Sequence, residues 1–258
     1  MSVIFILLVI LLFLMVIIGE NRGTKSFIIL LLNFGTFFGM LKIMTLGFDP
    51  IKVTILACIV ISSVTLFFIN GINRKTMASL LSVFIVVLLT VLLTYKTGND
   101  ARLQGFSNEG PVSVSNLSYY VNINFSKLFI CEILIGLLGA IIDVAISIAS
   151  SMYEMLLNNP DISKAGLFRS GMNIGKDILG TMANTMLFAY ISGFMAVIVW
   201  LGLSNYPLSG IFNSKIFGPE IFQTLSGGIG IILVIPVTAA ITTFMLFAKP
   251  PVRPGSEG

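Results

Sequence analysis

The sequence predicts an all-α, polytopic membrane protein with about seven transmembrane helices. Three observations carry this expectation. Of 258 residues, 56% are hydrophobic and 10% are charged, against about 25% charged residues in a soluble domain. The mean hydropathy is +1.03. The apolar residues also fall in runs close to the ~20 residues that a bilayer core requires, separated by short polar connectors.

Composition narrows the chemistry. Histidine is absent, and the two cysteines, Cys58 and Cys131, both lie inside apolar runs. This argues against disulfide frameworks, histidine-based zinc sites, iron–sulfur clusters and histidine-dependent triads. No metal and no cofactor is expected. A phosphate-binding G-x-x-x-x-G-K-[ST] loop is missing, which argues against an intrinsic ATPase, and no enzymatic activity is expected. The net charge of +4 is what a bias of basic residues toward the cytoplasmic side would produce, so lipid rather than nucleic acid is the expected surroundings.

Taken in order, residues 2–19 form an uninterrupted apolar run. It lacks a basic stretch before it and an A-x-A-like end after it, so it reads as an uncleaved span rather than a signal peptide. Further spans are predicted over 26–46, 50–70, 76–95, 127–153, 173–203 and 228–247. The whole of 1–248 is expected to be one transmembrane domain, with its polar core over 127–203. Residues 96–126, rich in Gly, Asn and Ser, are expected as an external loop. The half-apolar connector over 204–227 is expected to lie at the interface or dip into the membrane. The Pro-punctuated residues 249–258 are expected to be a disordered cytoplasmic tail. Arg22, Lys25, Arg74, Lys75, Lys164, Arg169 and Lys176 fall on one set of connectors. They put the N-terminus outside and the C-terminus in the cytoplasm.

The fifth span carries the residues that point to function. Glu132, Gly136, Gly139, Asp143, Ser147, Ser150 and Glu154 step by three or four and so share one helix face. Gly136 and Gly139 make the upper part small, which lets a neighbouring helix approach, and Gly180 offers the same on the next span. Asp143 and the hydroxyls below it make the lower part wettable. Leu134, Leu138, Ile141 and Ile148 are left for lipid or apolar protein. An ionisable residue at membrane depth costs roughly 2.5–3.5 kcal/mol on insertion scales and is a functional hypothesis by default.

The sixth span repeats the pattern with Asn173, Asp177, Thr181, Asn184, Thr185 and Ser192. Counting at 1.5 Å per residue sets Thr181, Asn184 and Thr185 level with Asp143, and Asp177 nearer Ser150 and Glu154. The candidate relay is therefore Asp143, Ser147, Ser150, Glu154, Asp177, Thr181, Asn184 and Thr185. Asp177 also has a plain reading as an interfacial carboxylate beside Lys176 or Arg169. A low dielectric disfavours the charged form of a carboxyl. Hydroxyls and amides around such a group can hold water without fixing its charge, as a proton relay requires.

Residues 136–154, GLLGAIIDVAISIASSMYE, and 167–190, LFRSGMNIGKDILGTMANTMLFAY, resemble the signature of the YibE/YibF-like family of bacterial membrane proteins. The compact chain looks like the shorter, YibF-type member. That resemblance implies a bacterial cytoplasmic membrane and a larger, related YibE-type membrane protein as partner, with a homo-oligomer as the other possibility. A more distant resemblance is to the six-helix membrane half of resistance–nodulation–division (RND) transporters and of the SecD/SecF translocation pair. There a Gly-x-x-x-Asp helix ends in Glu, and a Gly-containing helix ends in Thr-x-x-x-Thr. Here the matching residues are Gly139, Asp143, Glu154, Ala165, Gly171, Thr181 and Thr185. The loop after the second span is too short for a porter domain, no arginines precede Glu154, and a second half is missing.

Three functions fit these residues. The first is a membrane subunit of a proton-coupled transport or export complex, driven by the proton-motive force, with Asp143 as the proton carrier. The second is a non-transporting receptor or scaffold whose polar face is helix–helix glue. The third, an intramembrane aspartyl protease, needs Asp143 and Asp177 about 3 Å apart, which the depth count argues against. The coupling ion, H⁺ or Na⁺, is left open by an oxygen-only set of side chains.

Overall fold

The computed structural model describes residues 3–100, 124–203 and 217–248. Among them are six helices and no strand: α1 (Val3–Thr45), α2 (Pro50–Asn70), α3 (Arg74–Asp100), α4 (Phe125–Asn158), α5 (Lys164–Leu203) and α6 (Phe217–Ala248). Each is long and apolar enough to cross a membrane.

Helix α1 unites the spans expected over 2–19 and 26–46. A straight helix of 43 residues would reach about 65 Å, twice a bilayer core of about 30 Å. It bends at Glu20, whose φ of 47° and ψ of −129° leave the helical region. A Cβ at Gly23 would collide with the Met15 carbonyl oxygen, so the inside of the bend requires glycine. The first arm is exposed almost throughout. The buried residues Gly23, Phe27, Ile29, Met40 and Met44 all belong to the second arm, which packs on α2.

Short corners set the next helices antiparallel. Asp49 caps α2 by accepting from the backbone N–H of Ile51 at 3.1 Å and of Lys52 at 3.4 Å, with Pro50 at the first helical position. The same carboxylate is ion-paired with Lys127 at the start of α4. Gly71, at φ 73°, ends α2 in the left-handed region that favours glycine. Asn73 and Thr76 then cap α3 reciprocally: Oδ1 of Asn73 accepts from the Thr76 N–H at 3.1 Å, and Oγ1 of Thr76 accepts from the Asn73 N–H at 3.0 Å.

Helix α4 stands at the centre and packs on α2, α3, α5 and α6. Ile133, Leu134, Leu137, Ile141, Val144, Ala145, Ile148 and Met152 are buried against Val83 and Val86 of α3 and Ile231 and Val234 of α6 in one core. Leu134, Leu138, Ile141 and Ile148 therefore face protein, not lipid. Five of the hydroxyls buried in the bundle return to their own helix. Ser62, Ser82, Thr90, Thr94 and Thr243 donate to the carbonyl four residues back, which keeps polar groups satisfied where water is excluded.

Three limits shift from expectation. Helix α5 begins at Lys164 rather than at 173, because Ser163 caps it (Oγ accepts from Gly166 N–H at 3.0 Å) and the amphipathic turn through Leu167 packs on the core. The connector expected over 204–227 is helical from Phe217 onward, where it forms the first turns of α6; 204–216 lies outside the described residues. Of the loop expected over 96–126, both ends are helical, as the last turn of α3 and the first of α4, and 101–123 lies outside. So does the tail, 249–258.

Candidate functional site: a polar groove between α2 and α4

The face shared by Glu132, Gly136, Gly139, Asp143, Ser147 and Glu154 is the exposed stripe of α4. Its opposite side is the most buried helix surface among the described residues. Glu132, Asp143 and Glu154 recur every eleven residues, about 16 Å and three full turns apart, so they stay in line. Together they extend over about 33 Å, close to a bilayer core of about 30 Å. The spacing therefore matches a bilayer-thick stretch of α4 with a carboxylate at each end and Asp143 at its middle.

Asp143 opens into a groove of about 470 Å³ between α2 and α4. Ile142, Asp143, Ile146, Ser147, Ser150 and Ser151 line it from α4. Thr65, Leu66, Ile69 and Asn70 line it from α2. Thr65 is held there by a hydrogen bond from Nδ2 of Asn33 in α1 at 3.0 Å. The groove descends about two turns, from mid-depth at Asp143 to Ser151 and to Asn70, the last residue of α2. Its lining alternates hydroxyls and the Asn70 amide with Leu66, Ile69, Ile142 and Ile146.

The α5 residues of the expected relay do not line this groove. Oγ1 of Thr181 donates to the Ile178 carbonyl at 2.9 Å and Oγ1 of Thr185 to the Thr181 carbonyl at 2.8 Å. Two contacts fix how α5 lies along α4: Tyr190 over Gly136, and Met152 over Gly171. Between them Asp143 comes level with Thr181 and Met182, as the depth count gave. Asp177 comes level with Ser147, a turn higher than expected beside Ser150 and Glu154. The reason is that both helices run past the ends expected for them. Asp143 and Asp177 are thus about one turn apart in depth, not most of a half-membrane. Asp177 stays outside the groove.

Asn173, Asp177, Thr181, Asn184 and Thr185 are all exposed, and the most apolar stretch of α5 is scarcely buried. A polar stripe on a spanning helix therefore looks outward from the bundle, beside the carboxylate stripe of α4.

Of the glycines expected to mediate packing, Gly136 does so under the Tyr190 hydroxyl. Gly139 and Gly180 meet open space within this chain. The glycines that seat α5 are Gly171, against Met152 and Ala239, and Gly175, against Ile235, with Gly227 of α6 against Met186. The four-residue spacing of Gly171 and Gly175 is the signal that marks them in the sequence. Thr65 and Asn70 were also missed. Hydroxyls and amides of this kind are common in spans, and nothing in their spacing points at Asp143.

Among the described residues no group of three or more His, Cys, Asp or Glu side chains is placed to hold a metal ion. The family model described as YibE/F-like protein matches residues 7–248. No curated protein and no solved structure matches the chain.

Proposed function

We propose that this chain, which belongs to the YibE/F-like protein family, is a membrane subunit of a proton-coupled transport or export complex. In this reading it resides in a bacterial cytoplasmic membrane with its N-terminus outside, and Asp143 carries the proton. The observation that carries the reading is the groove. A carboxylate at mid-depth is joined to one membrane boundary by Ser147, Ser150, Ser151, Thr65 and Asn70. Hydroxyls and amides can hold a water file there and pass a proton without competing for the charge.

The second half of the path would run up the exposed stripe of α4 past Gly139 and Gly136 to Glu132. Within this chain that stripe is open on one side, as is the polar stripe of α5. Exposing amides and carboxylates to lipid is costly. We therefore assign these two stripes to an interface with a second membrane chain, either a larger YibE-type relative or a further copy. The alignment of Gly139, Asp143 and Glu154 on α4 with Thr181 and Thr185 on α5 supports an RND- or SecD/SecF-like half that is completed by its partner.

A receptor or scaffold is the second reading, favoured by the same open polar stripes if they serve only as glue. The protease reading has little support, since Asp177 does not share the groove of Asp143. Infrared difference spectroscopy between acid and neutral pH, on wild type and Asp143→Asn in lipid nanodiscs, tests the assignment. A protonated-carboxyl band that disappears in the variant supports it. Identical spectra count against it.

A further inference from the structure

We infer that the apolar recess between α2 and α3 holds one acyl chain of an anionic phospholipid, whose phosphate is taken by Arg74 at the membrane boundary. The recess has a volume of about 370 Å³ and shares no lining residue with the Asp143 groove. Cys58 of α2 and Val83 and Val87 of α3 form its buried floor. Ile59, Met77 and Leu81 stand exposed at its rim, so it opens sideways, toward lipid. Its one hydroxyl, that of Ser62, donates to the Cys58 carbonyl at 2.7 Å. No hydroxyl is left to favour water over hydrocarbon there.

Length selects the chain. From Met77 to Val87 the recess follows ten residues of α3, about 15 Å and half of a bilayer core of about 30 Å. Met77, three residues into α3, and Met245, three residues from the end of α6, set its outer limit at one membrane boundary. A recess that begins at a boundary and closes at mid-depth matches the hydrocarbon of one leaflet. Charge selects the headgroup. Arg74, Met77 and Leu81 step by three and four, so Arg74 begins the face of α3 that carries the rim. Its Nη1 is buried without a hydrogen-bond partner, and among the described residues its guanidinium has no ion pair. An unmet donor on a charged group carries a desolvation penalty. A lipid phosphate removes it, since its oxygens accept the guanidinium fork in a bidentate manner. Lys75, whose ammonium lies 5.5 Å from the centre of the Tyr153 ring, adds a second positive charge at the same boundary. A choline headgroup brings its own cation against these two, so a net negative lipid is preferred.

The test is native mass spectrometry of the full chain released from nanodiscs of equimolar phosphatidylglycerol and phosphatidylcholine with matched acyl chains. Wild type is expected to retain one phosphatidylglycerol in preference to phosphatidylcholine. Arg74→Gln should lower that retention about five- to tenfold, the effect of one cation at the boundary with its charged hydrogen bonds. Leu81→Trp, which covers the recess from an exposed rim position, should lower it severalfold with unchanged melting, separating loss of the site from misfolding. Leu92→Trp, exposed on α3 outside the recess, should retain the lipid as wild type does. Equal retention of the two lipids by wild type would mean ordinary annular lipid and overturns the proposal. Loss in Arg74→Gln with none in Leu81→Trp would mean a headgroup held without a chain in the recess. Loss in Leu81→Trp with none in Arg74→Gln would mean a chain held without its phosphate on Arg74. Either result, or wild-type retention in both variants, overturns it as well.

Discussion

The hydroxyl of Tyr190 lies over the backbone of Gly136, and that contact sets the height of α5 along α4. Gly136→Ala would drive a methyl group into the phenol oxygen. Overpacking of this kind costs about 1–3 kcal/mol, so the variant should melt several degrees below wild type in detergent. Gly139→Ala, with open space around it, should melt as wild type. A loss at Gly139 equal to that at Gly136 would mean that the α4–α5 packing described above is wrong.

Asp49 joins the corner before α2 to the start of α4. The Lys127 ammonium, bonded to Asp49, holds its carboxyl below the usual carboxylate range, and the N–H groups of Lys52 and Ile51 add to this. A carboxyl depressed in the folded state contributes stability that is fully present above the unfolded value of about 3.9 and is lost as pH falls through the folded value. Wild type should therefore lose part of its stability below about pH 4, and Asp49→Asn should lack that loss. Asp49→Ala removes the helix cap as well and should cost about 1 kcal/mol even at neutral pH. Melting curves between pH 3 and pH 7 decide this. Parallel curves for wild type and Asp49→Asn would contradict it.

Thr65 and Asn70 reach the Asp143 groove from α2. If the groove carries water to Asp143, replacing Thr65 by Val should slow proton passage about tenfold, the effect of one lost hydrogen-bonding group of about 1.4 kcal/mol. Ser147→Ala should act similarly. Thr181→Val should have a smaller effect on the groove, because its hydroxyl is returned to the Ile178 carbonyl. Flux assays on reconstituted protein rank the three. Equal effects at Thr65 and Thr181 would move the path to the α4–α5 side.

The outward stripe of α5 makes a separate prediction about assembly. In a background with Cys58 and Cys131 replaced by Ala, Asn184→Cys or Thr185→Cys should crosslink to a second membrane chain under mild oxidation. Leu187→Cys, on an apolar part of the same helix, should crosslink less. Gly139→Ala should weaken the same assembly while leaving the melting of the isolated chain alone. A chain that stays monomeric in its native membrane, with all three cysteine variants unlinked, would leave the two polar stripes facing lipid and contradict the interface.

Much of this was legible in the sequence because membrane physics is simple to read. Length and apolarity mark spans, and a period of 3.6 aligns Asp143 with Ser147, Ser150 and Glu154. The depth of Thr181 relative to Asp143 followed from rise per residue alone. What the sequence hid was lateral neighbourhood. Depth counting compares helices joined by a short turn, so it offered α5 as the partner of Asp143, whereas the groove is walled by α2, far away in the chain. It also misjudged Asp177, because polar turns from Lys164 to Lys176 look like loop by composition yet are helical, capped by Ser163 and anchored by buried Leu167.

The most direct test of the account is proton flux through the reconstituted protein. Liposomes containing wild type, or Asp143→Asn, together with any co-purifying membrane partner, are given an imposed pH gradient and followed with a trapped pH dye. The account predicts that wild type dissipates the gradient and that Asp143→Asn, assembled to the same extent, leaves it intact, since an amide keeps the hydrogen bonds and loses only the titration. Equal tightness in both, with assembly unchanged, would contradict a proton-carrying Asp143 and leave the polar faces as packing surfaces.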